Sequence, residues 1–334
     1  MDIKSLAHQL GFAACGIAKA APVEGEEREK YLRRVEAHRY ADMDYMYRNV
    51  EKRLDPTLLV PGTKSIISVA LNYAPAVSQR DDSYKLAAYA LGKDYHDIMK
   101  RRLRKLATTM GWEEITMKPS HTPSAKSDAQ QSVSQWETDS AASSDNSEKP
   151  TAHFRVFVDS APVLERYWAQ KAGLGWIGRN NLLIIPHAGT MFFLGEIFVD
   201  VELDYDTPAV NRCGRCTRCI DACPTGALKS DPFDASLCLS YQTIENRGEI
   251  SEAAKSAMDD TIYGCDRCQA ACPWNRFATP NDDAELQPSP ELLAMSKSDW
   301  QNLDVETYRR LFKGSAVKRA KYEGLKRNIK AVNK

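Results

Sequence analysis

The stretch CGRCTRCIDACPTGAL, residues 213–228, sets four cysteines within eleven positions and follows the last with proline. Cys213, Cys216, Cys219 and Cys223, with Pro224, have the C-x2-C-x2-C-x3-C-P spacing of two-cluster ferredoxin modules. In that run three thiolates reach one cubane, and the fourth ligates a second cluster. A second set is therefore required. Cys265, Cys268 and Cys272, with Pro273, supply all but one of its members, and Cys238 completes it. By the crossover rule one [4Fe–4S] cluster takes Cys213, Cys216, Cys219 and Cys272. The other takes Cys223, Cys238, Cys265 and Cys268. Structural zinc prefers paired C-x2-4-C hooks with four ligands, a poor match to this run. The spacing points to single-electron transfer.

The remaining cysteine, Cys15, sits in GFAACGIA, which reads as a buried strand where a thiol packs as a small hydrophobe. The 334 residues allow roughly two domains. Lys plus Arg number 45 and Asp plus Glu 45, so any preference for nucleic acid must come from local patches. The opening MDIKSLAHQLGFAACG lacks the basic-then-apolar layout of a signal peptide, and no apolar run reaches the ~20 residues of a membrane helix. A soluble, cytoplasmic, monomeric protein without membrane partners is expected. Its cysteines then stay reduced and available to metal.

Upstream of the cysteines, helical and strand patterns alternate. EGEEREKYLRRVEAHRY reads as a charged helix, and SIISVALNYA as a strand buried on both faces. YHDIMKRRLRKLATTM places Met99, Leu103, Leu106 and Met110 on one helical stripe. Residues 119–150 are rich in Ser, Asp, Gln, Pro and Ala, a composition that predicts a disordered insertion. HFRVFVDS is a strand, PVLERYWAQKAG a helix, and LLIIP and MFFLGEIFVDVEL are strands. The fold class is α/β (α+β). Residues 1–205 form its α/β domain, 206–280 the ferredoxin-like module and 281–334 a helical tail. From Lys313 onward that tail carries eight Lys or Arg against one Glu.

Two further stretches invite a function. GLGWIG, residues 173–178, spells G-x-G-x-x-G, but it follows a helix and precedes a strand, the reverse of a dinucleotide site. Asp159 closes a strand just before a helix. Position alone favours a helix N-cap; the alternative is a proton donor aimed into a cleft.

Taken together, the cysteine runs, EKRLDPTLLVPGTKSII, KDYHDIMKRRL, DSAPVLERYWAQKAGLGWIGRNNLLI and GSAVKRAKYEGLKRNI resemble the epoxyqueuosine reductase family over nearly all of the chain outside 119–150. The resemblance implies a nitroreductase-like domain that binds cobalamin without its lower base on the cobalt. The two clusters would feed electrons to it. It implies reduction of epoxyqueuosine to queuosine at the wobble position of tRNA, with electrons from an unidentified donor. Asp159 matches the family's catalytic acid, its pKa expected to rise by burial. Arg53 matches a cofactor contact. Tyr95, His96, Asn180 and Asn181 are expected to border the corrin. Ser240, Tyr241, Gln242, Asp266 and Arg267 adjoin cluster ligands and are expected near it. The chain ends at Lys334, where longer members add helical repeats. The anticodon loop is therefore expected to rest on Lys318, Arg319, Lys321, Lys326 and Arg327. A reductive dehalogenase-like enzyme shares these cofactors but would be expected to carry a twin-arginine signal. An electron-transfer ferredoxin-type protein would leave the α/β domain and basic tail unexplained.

Overall fold

A computed structural model describes residues 2–115 and 151–332. The insertion at 119–150 lies outside the described residues. Five strands form one mixed sheet in the order Ala14–Lys19, Ser65–Asn72, Phe192–Val199, His153–Phe157, Glu113–Glu114. The first three junctions are antiparallel, and Glu113–Glu114 runs parallel to His153–Phe157.

Successive strand residues point to opposite faces, so both faces of this apolar sheet need cover. Ile67, Val69 and Leu71 pack with Ile98, Met99, Leu103 and Leu106 of the Tyr95–Thr109 helix, as the spacing of that helix predicts. Ile66, Ala70 and Phe198 point the other way, against Tyr167, Trp168 and Ala169 of the Glu165–Lys171 helix. Cys15 lies in the edge strand, and burial pushes its thiol up to about 12, consistent with a packing role. The result is a helix–sheet–helix sandwich.

The cysteine module and the tail are built into this domain. Lys85–Leu86 pairs in parallel with Thr261–Tyr263, the strand that runs into Cys265. Around that junction Tyr84, Leu91, Ile262, Trp300, Phe312 and Ile329 share one core. The core thus draws on all three sequence intervals. Asn328, fully buried on the Lys321–Val332 helix, donates through Nδ2 to the carbonyls of Thr243 (2.7 Å) and Ile262 (2.8 Å). GLGWIG forms the first arm of a hairpin, Trp176–Ile177 against Leu183–Ile184. A Cβ on Gly175 would come within 2.1 Å of the Ile184 carbonyl oxygen, so this glycine is needed for close backbone approach.

Candidate active site and cysteine module

The sheet, the helix starts and the module enclose a cavity of about 990 Å³. Asp159 enters it at the end of the His153–Phe157 strand, in the left-handed region with φ 53°. Aspartate tolerates that conformation better than bulkier residues do. The adjacent helix begins at Glu165 and is preceded by Leu164, so the N-cap reading of Asp159 is incorrect. Instead its Oδ2 accepts a hydrogen bond from Tyr95 Oη at 2.8 Å and lies 3.7 Å from His96 Nε2. The Asp159 side chain keeps 62 % of its accessible surface, and it lines the cavity.

Tyr95 and His96 arrive together because Asp94 caps their helix, accepting from His96 N. The same Asp94 carboxylate meets His96 Nδ1 at 2.6 Å. Burial opposes the imidazolium, but hydrogen bonds to Asp159 and Asp94 override it and raise His96 to about 9. Asp159 goes the other way. Burial would raise it, yet hydrogen bonds from His96 and Tyr95 and the charges of His96 and Arg166 hold it below the ordinary value. The expectation of a raised Asp159 pKa is corrected here: the partners outweigh desolvation.

Two carboxyls behind Asp159 hold protons. Glu165 Oε1 accepts from Asp159 N at 2.5 Å. Burial, then the Asp159 charge, pushes Glu165 up to about 8. Glu196, in the central strand opposite Ser68, is fully buried, and neither of its oxygens has a hydrogen-bond partner among the described residues. Burial and the charges of Glu165 and Asp159 raise it far above the carboxylate range. Sequence reading missed both. Glu196 is the lone acid within FFLGEIFV, the signal that could have marked it.

The rest of the cavity wall is aromatic and cationic. Arg53, buried on its short helix, donates to the Tyr45 carbonyl at 3.0 Å, while its Nε has no partner. Arg34, also overlooked in the sequence, donates to Asn181 Oδ1 at 2.8 Å and likewise leaves its Nε unpartnered. Arg166 donates to the Asn181 carbonyl. Tyr31, Tyr40, Tyr45 and Tyr89 also line the cavity.

Asn180, expected to border the corrin, is buried and outside the cavity lining, and Ser240, Tyr241, Gln242, Asp266 and Arg267, expected near it, also lie outside that lining. Their side chains or backbones are engaged elsewhere. Tyr241 Oη donates to Asp42, Gln242 Nε2 to Ser236 O, and Arg267 to Asp259 and the Met258 carbonyl. Asp266 accepts from Ala88 N and Gln269 Nε2. The backbone N–H groups of Ser240 and Tyr241 point at Cys238 sulfur, and that of Arg267 at Cys265.

The cysteines gather in two neighbourhoods. Cys272 lies beside Cys213 and Cys216, and Cys219 beside Cys213 and Cys272. Cys238 lies beside Cys223, Cys265 beside Cys238, and Cys268 beside both Cys265 and Cys238. Backbone N–H groups of Trp274 and Asn275 face Cys272, and Trp176 Nε1 donates to Cys213 Sγ at 3.4 Å. Clustered free thiols ringed by N–H donors suit thiolate-held iron–sulfur cubes, whose potentials such donors set. Tyr263, on the cavity wall, stands two residues before Cys265 of the second neighbourhood.

Among the basic-tail residues, Lys318 and Arg319 line the cavity. Arg319 is also paired with Glu245, both bonds at 2.8 Å. Lys321 is exposed. Lys326 donates to the Gln301 carbonyl, and Arg327 to the carbonyls of Gln242, Asn246 and Gly248. Arg327 therefore holds the tail to the module while Lys326 is engaged within the tail, and the geometry does not support them as phosphate contacts.

Comparison with known proteins agrees with this arrangement. The family model "4Fe-4S double cluster binding domain" matches residues 212–275, which makes the cysteine module a double-cluster domain. "Epoxyqueuosine reductase QueG, DUF1730" matches residues 53–160. The structure of epoxyqueuosine reductase from Streptococcus thermophilus superposes with TM-score 0.78 at 26 % identity, over 99 % of this chain and 79 % of that one. The epoxyqueuosine reductase of Pseudomonas aeruginosa is 38 % identical over 98 % of this chain and 83 % of its own length. That of Cellulophaga algicola is 41 % identical over 98 % of this chain and 95 % of its own. Likeness of that extent, spanning α/β domain, module and tail, makes the chain a member of the epoxyqueuosine reductase family.

Proposed function

We propose that the protein reduces epoxyqueuosine to queuosine in tRNA, with Asp159 delivering the proton. Removal of the epoxide oxygen as water takes two electrons and two protons. The observation that carries the reading is the position of Asp159, Tyr95 and His96 in one cavity that Tyr263, two residues before Cys265, also lines. Four thiols of each neighbourhood would hold one cluster, in the crossover pairing the sequence predicts. Cobalamin suits the cavity: unpartnered Nε atoms of Arg34 and Arg53 can meet its peripheral amides, and the tyrosines its ring faces. When bound, these groups supply the chemistry of electron delivery, the clusters singly and the corrin as a pair.

The chain's own residues manage the protons. Asp159 faces the substrate as a carboxylate, with His96 Nε2 beside the same oxygen. A developing alkoxide draws the His96 imidazolium proton by way of Asp159 Oδ2, which leaves His96 neutral and Asp159 a carboxylate again. Asp94 holds the imidazolium at Nδ1. Glu165, protonated to about 8, keeps a second charge from forming beside Asp159. Anaerobic incubation of the reconstituted protein with cobalamin, a reductant and epoxyqueuosine-containing tRNA is expected to yield queuosine on nucleoside mass analysis. Unchanged epoxyqueuosine would refute the proposal.

Turnover is expected to fall on the alkaline side. His96 is charged below about 9 and Glu165 neutral below about 8, so raising pH through that window removes the stored protons. The linkage has the same sign for His96: its folded pKa lies above 6.5, so its ion pairs stabilise the fold most below that value and are lost through about 9. A pH–rate profile flat across this window, measured with pre-reduced enzyme, would exclude His96 as the proton store.

On this reading the anticodon loop rests against Lys318 and Arg319, which line the cavity, and the exposed Lys321. Lys318→Ala is expected to weaken tRNA binding and to reduce the slope of log K against log salt by about 1. Arg327→Ala should leave that slope alone and destabilise the fold by roughly 1–3 kcal/mol, since three carbonyls lose a charged donor. Equal salt slopes for wild type and Lys318→Ala would reject the contact.

A further inference from the structure

We propose that the exposed loop carrying Cys213, Cys216 and Cys219 is the docking surface for an acidic one-electron carrier protein, held by Arg212, Arg215 and Arg218. This rests on the cluster assignment above and adds the point at which electrons enter. The two thiol neighbourhoods differ in setting. Ile244, six residues after Cys238, and Tyr263, two before Cys265, line the cavity, whereas no residue of the 206–220 loop does. The Cys213 loop lies outward: Arg212, Gly214, Arg215, Thr217 and Arg218 are all exposed. A Cβ on Gly214, between the first two ligands, would meet no atom within 4 Å. This neighbourhood therefore has one side, at Gly214, open to an approaching partner.

The charges at the loop are positive and uncommitted. Residues 211–230 hold Arg212, Arg215, Arg218 and Lys229 against Asp221 alone, in a chain whose charges balance overall. Asp221 is occupied by Thr217 Oγ1 at 2.8 Å. The three arginine side chains form no ion pair with any described residue, while Arg39, Arg102, Arg267 and Arg319 all do. Three unpaired guanidinium groups interleaved with cluster ligands give a focused positive field. Such a field speeds encounter with an acidic partner and orients it, with a strong dependence on ionic strength.

The test uses the full chain with both clusters reconstituted. The acidic probe is a bacterial flavodoxin reduced to its hydroquinone. Each encounter moves one electron: the hydroquinone is oxidised to the semiquinone, one cluster passes from its oxidised to its singly reduced state, and no bond forms. Methyl viologen radical, a small cation, serves as the reductant that needs no docking. Arg212→Gln/Arg215→Gln/Arg218→Gln is expected to slow cluster reduction by flavodoxin about tenfold or more at low salt and to flatten its salt dependence. The viologen rate should be unchanged. The triple Lys variant, which keeps the charge, should restore most of the flavodoxin rate. An unaltered flavodoxin rate overturns the proposal, as does an equal fall in both rates, which would mean the arginines only compensate cluster charge. Loss of tRNA affinity with flavodoxin reduction intact would reassign the patch to nucleic acid. Wild-type turnover with viologen alone reports on the proposed function separately. Wild type that lacks iron–sulfur absorption removes both readings, whereas wild type that turns over confines any failure to the docking surface.

Discussion

Asp159→Asn is expected to retain both iron–sulfur absorptions and bound cobalamin while turnover falls by about 10²–10⁴-fold, the usual weight of positioned acid–base catalysis. The amide has the shape of the carboxylate and can still accept from Tyr95 Oη through its carbonyl. It cannot carry a proton between His96 and the substrate. The substitution also removes the anion that raises His96, so the imidazole should titrate closer to its ordinary range. That second readout separates a proton-transfer role from simple loss of packing. NMR or pH–rate titration of His96 in the variant checks it. A variant with full turnover removes Asp159 from the mechanism, and one with low turnover but an unmoved His96 breaks the proposed coupling.

The second large effect concerns the crossover of the clusters. Cys272→Ser is expected to cost roughly half of the bound iron and to abolish turnover driven by flavodoxin. Cys272 follows Cys265 and Cys268 in sequence, yet its neighbours are Cys213 and Cys216, more than fifty residues earlier. The iron lost should therefore be that of the outer cluster. Cys223→Ser, from the first run, should instead remove the inner cluster beside the cavity. Iron analysis with electron paramagnetic resonance of the reduced variants distinguishes them. If Cys272→Ser perturbs the same signal as Cys268→Ser, the two runs hold one cluster each without exchange.

What could be read in the sequence follows from the range of the interactions involved. The cysteine runs are local patterns tied to the size of a cubane, and their spacing carries over into three dimensions. Ser65–Asn72 is largely apolar because both of its faces are covered, and the Tyr95–Thr109 stripe follows helical geometry. Asp159 was marked by resemblance, while position alone suggested a cap. Its actual partners, Tyr95 and His96, lie more than sixty residues upstream, a contact no local pattern encodes. Glu196 was hidden for the same reason: its cost and its role depend on Glu165 across the sheet. Arg327 and Lys326 looked like solvated cations on a basic helix. Only the packed structure shows backbone carbonyls within their reach. The Lys85–Leu86 strand is too short for alternation to reveal, so the joint between domain and module was not foreseen.

That joint has a consequence for how this protein can be altered. A ferredoxin module tethered by a linker could be exchanged between proteins as a cassette. Here Tyr84 and Leu91 from one side, Ile262 from the module and Trp300, Phe312 and Ile329 from the tail bury one another. Transplanting residues 206–280 alone would strip apolar surface from both donor and host, so lineages with this joint must keep all three parts in step, and redesign of the electron path has to be done by substitution in place.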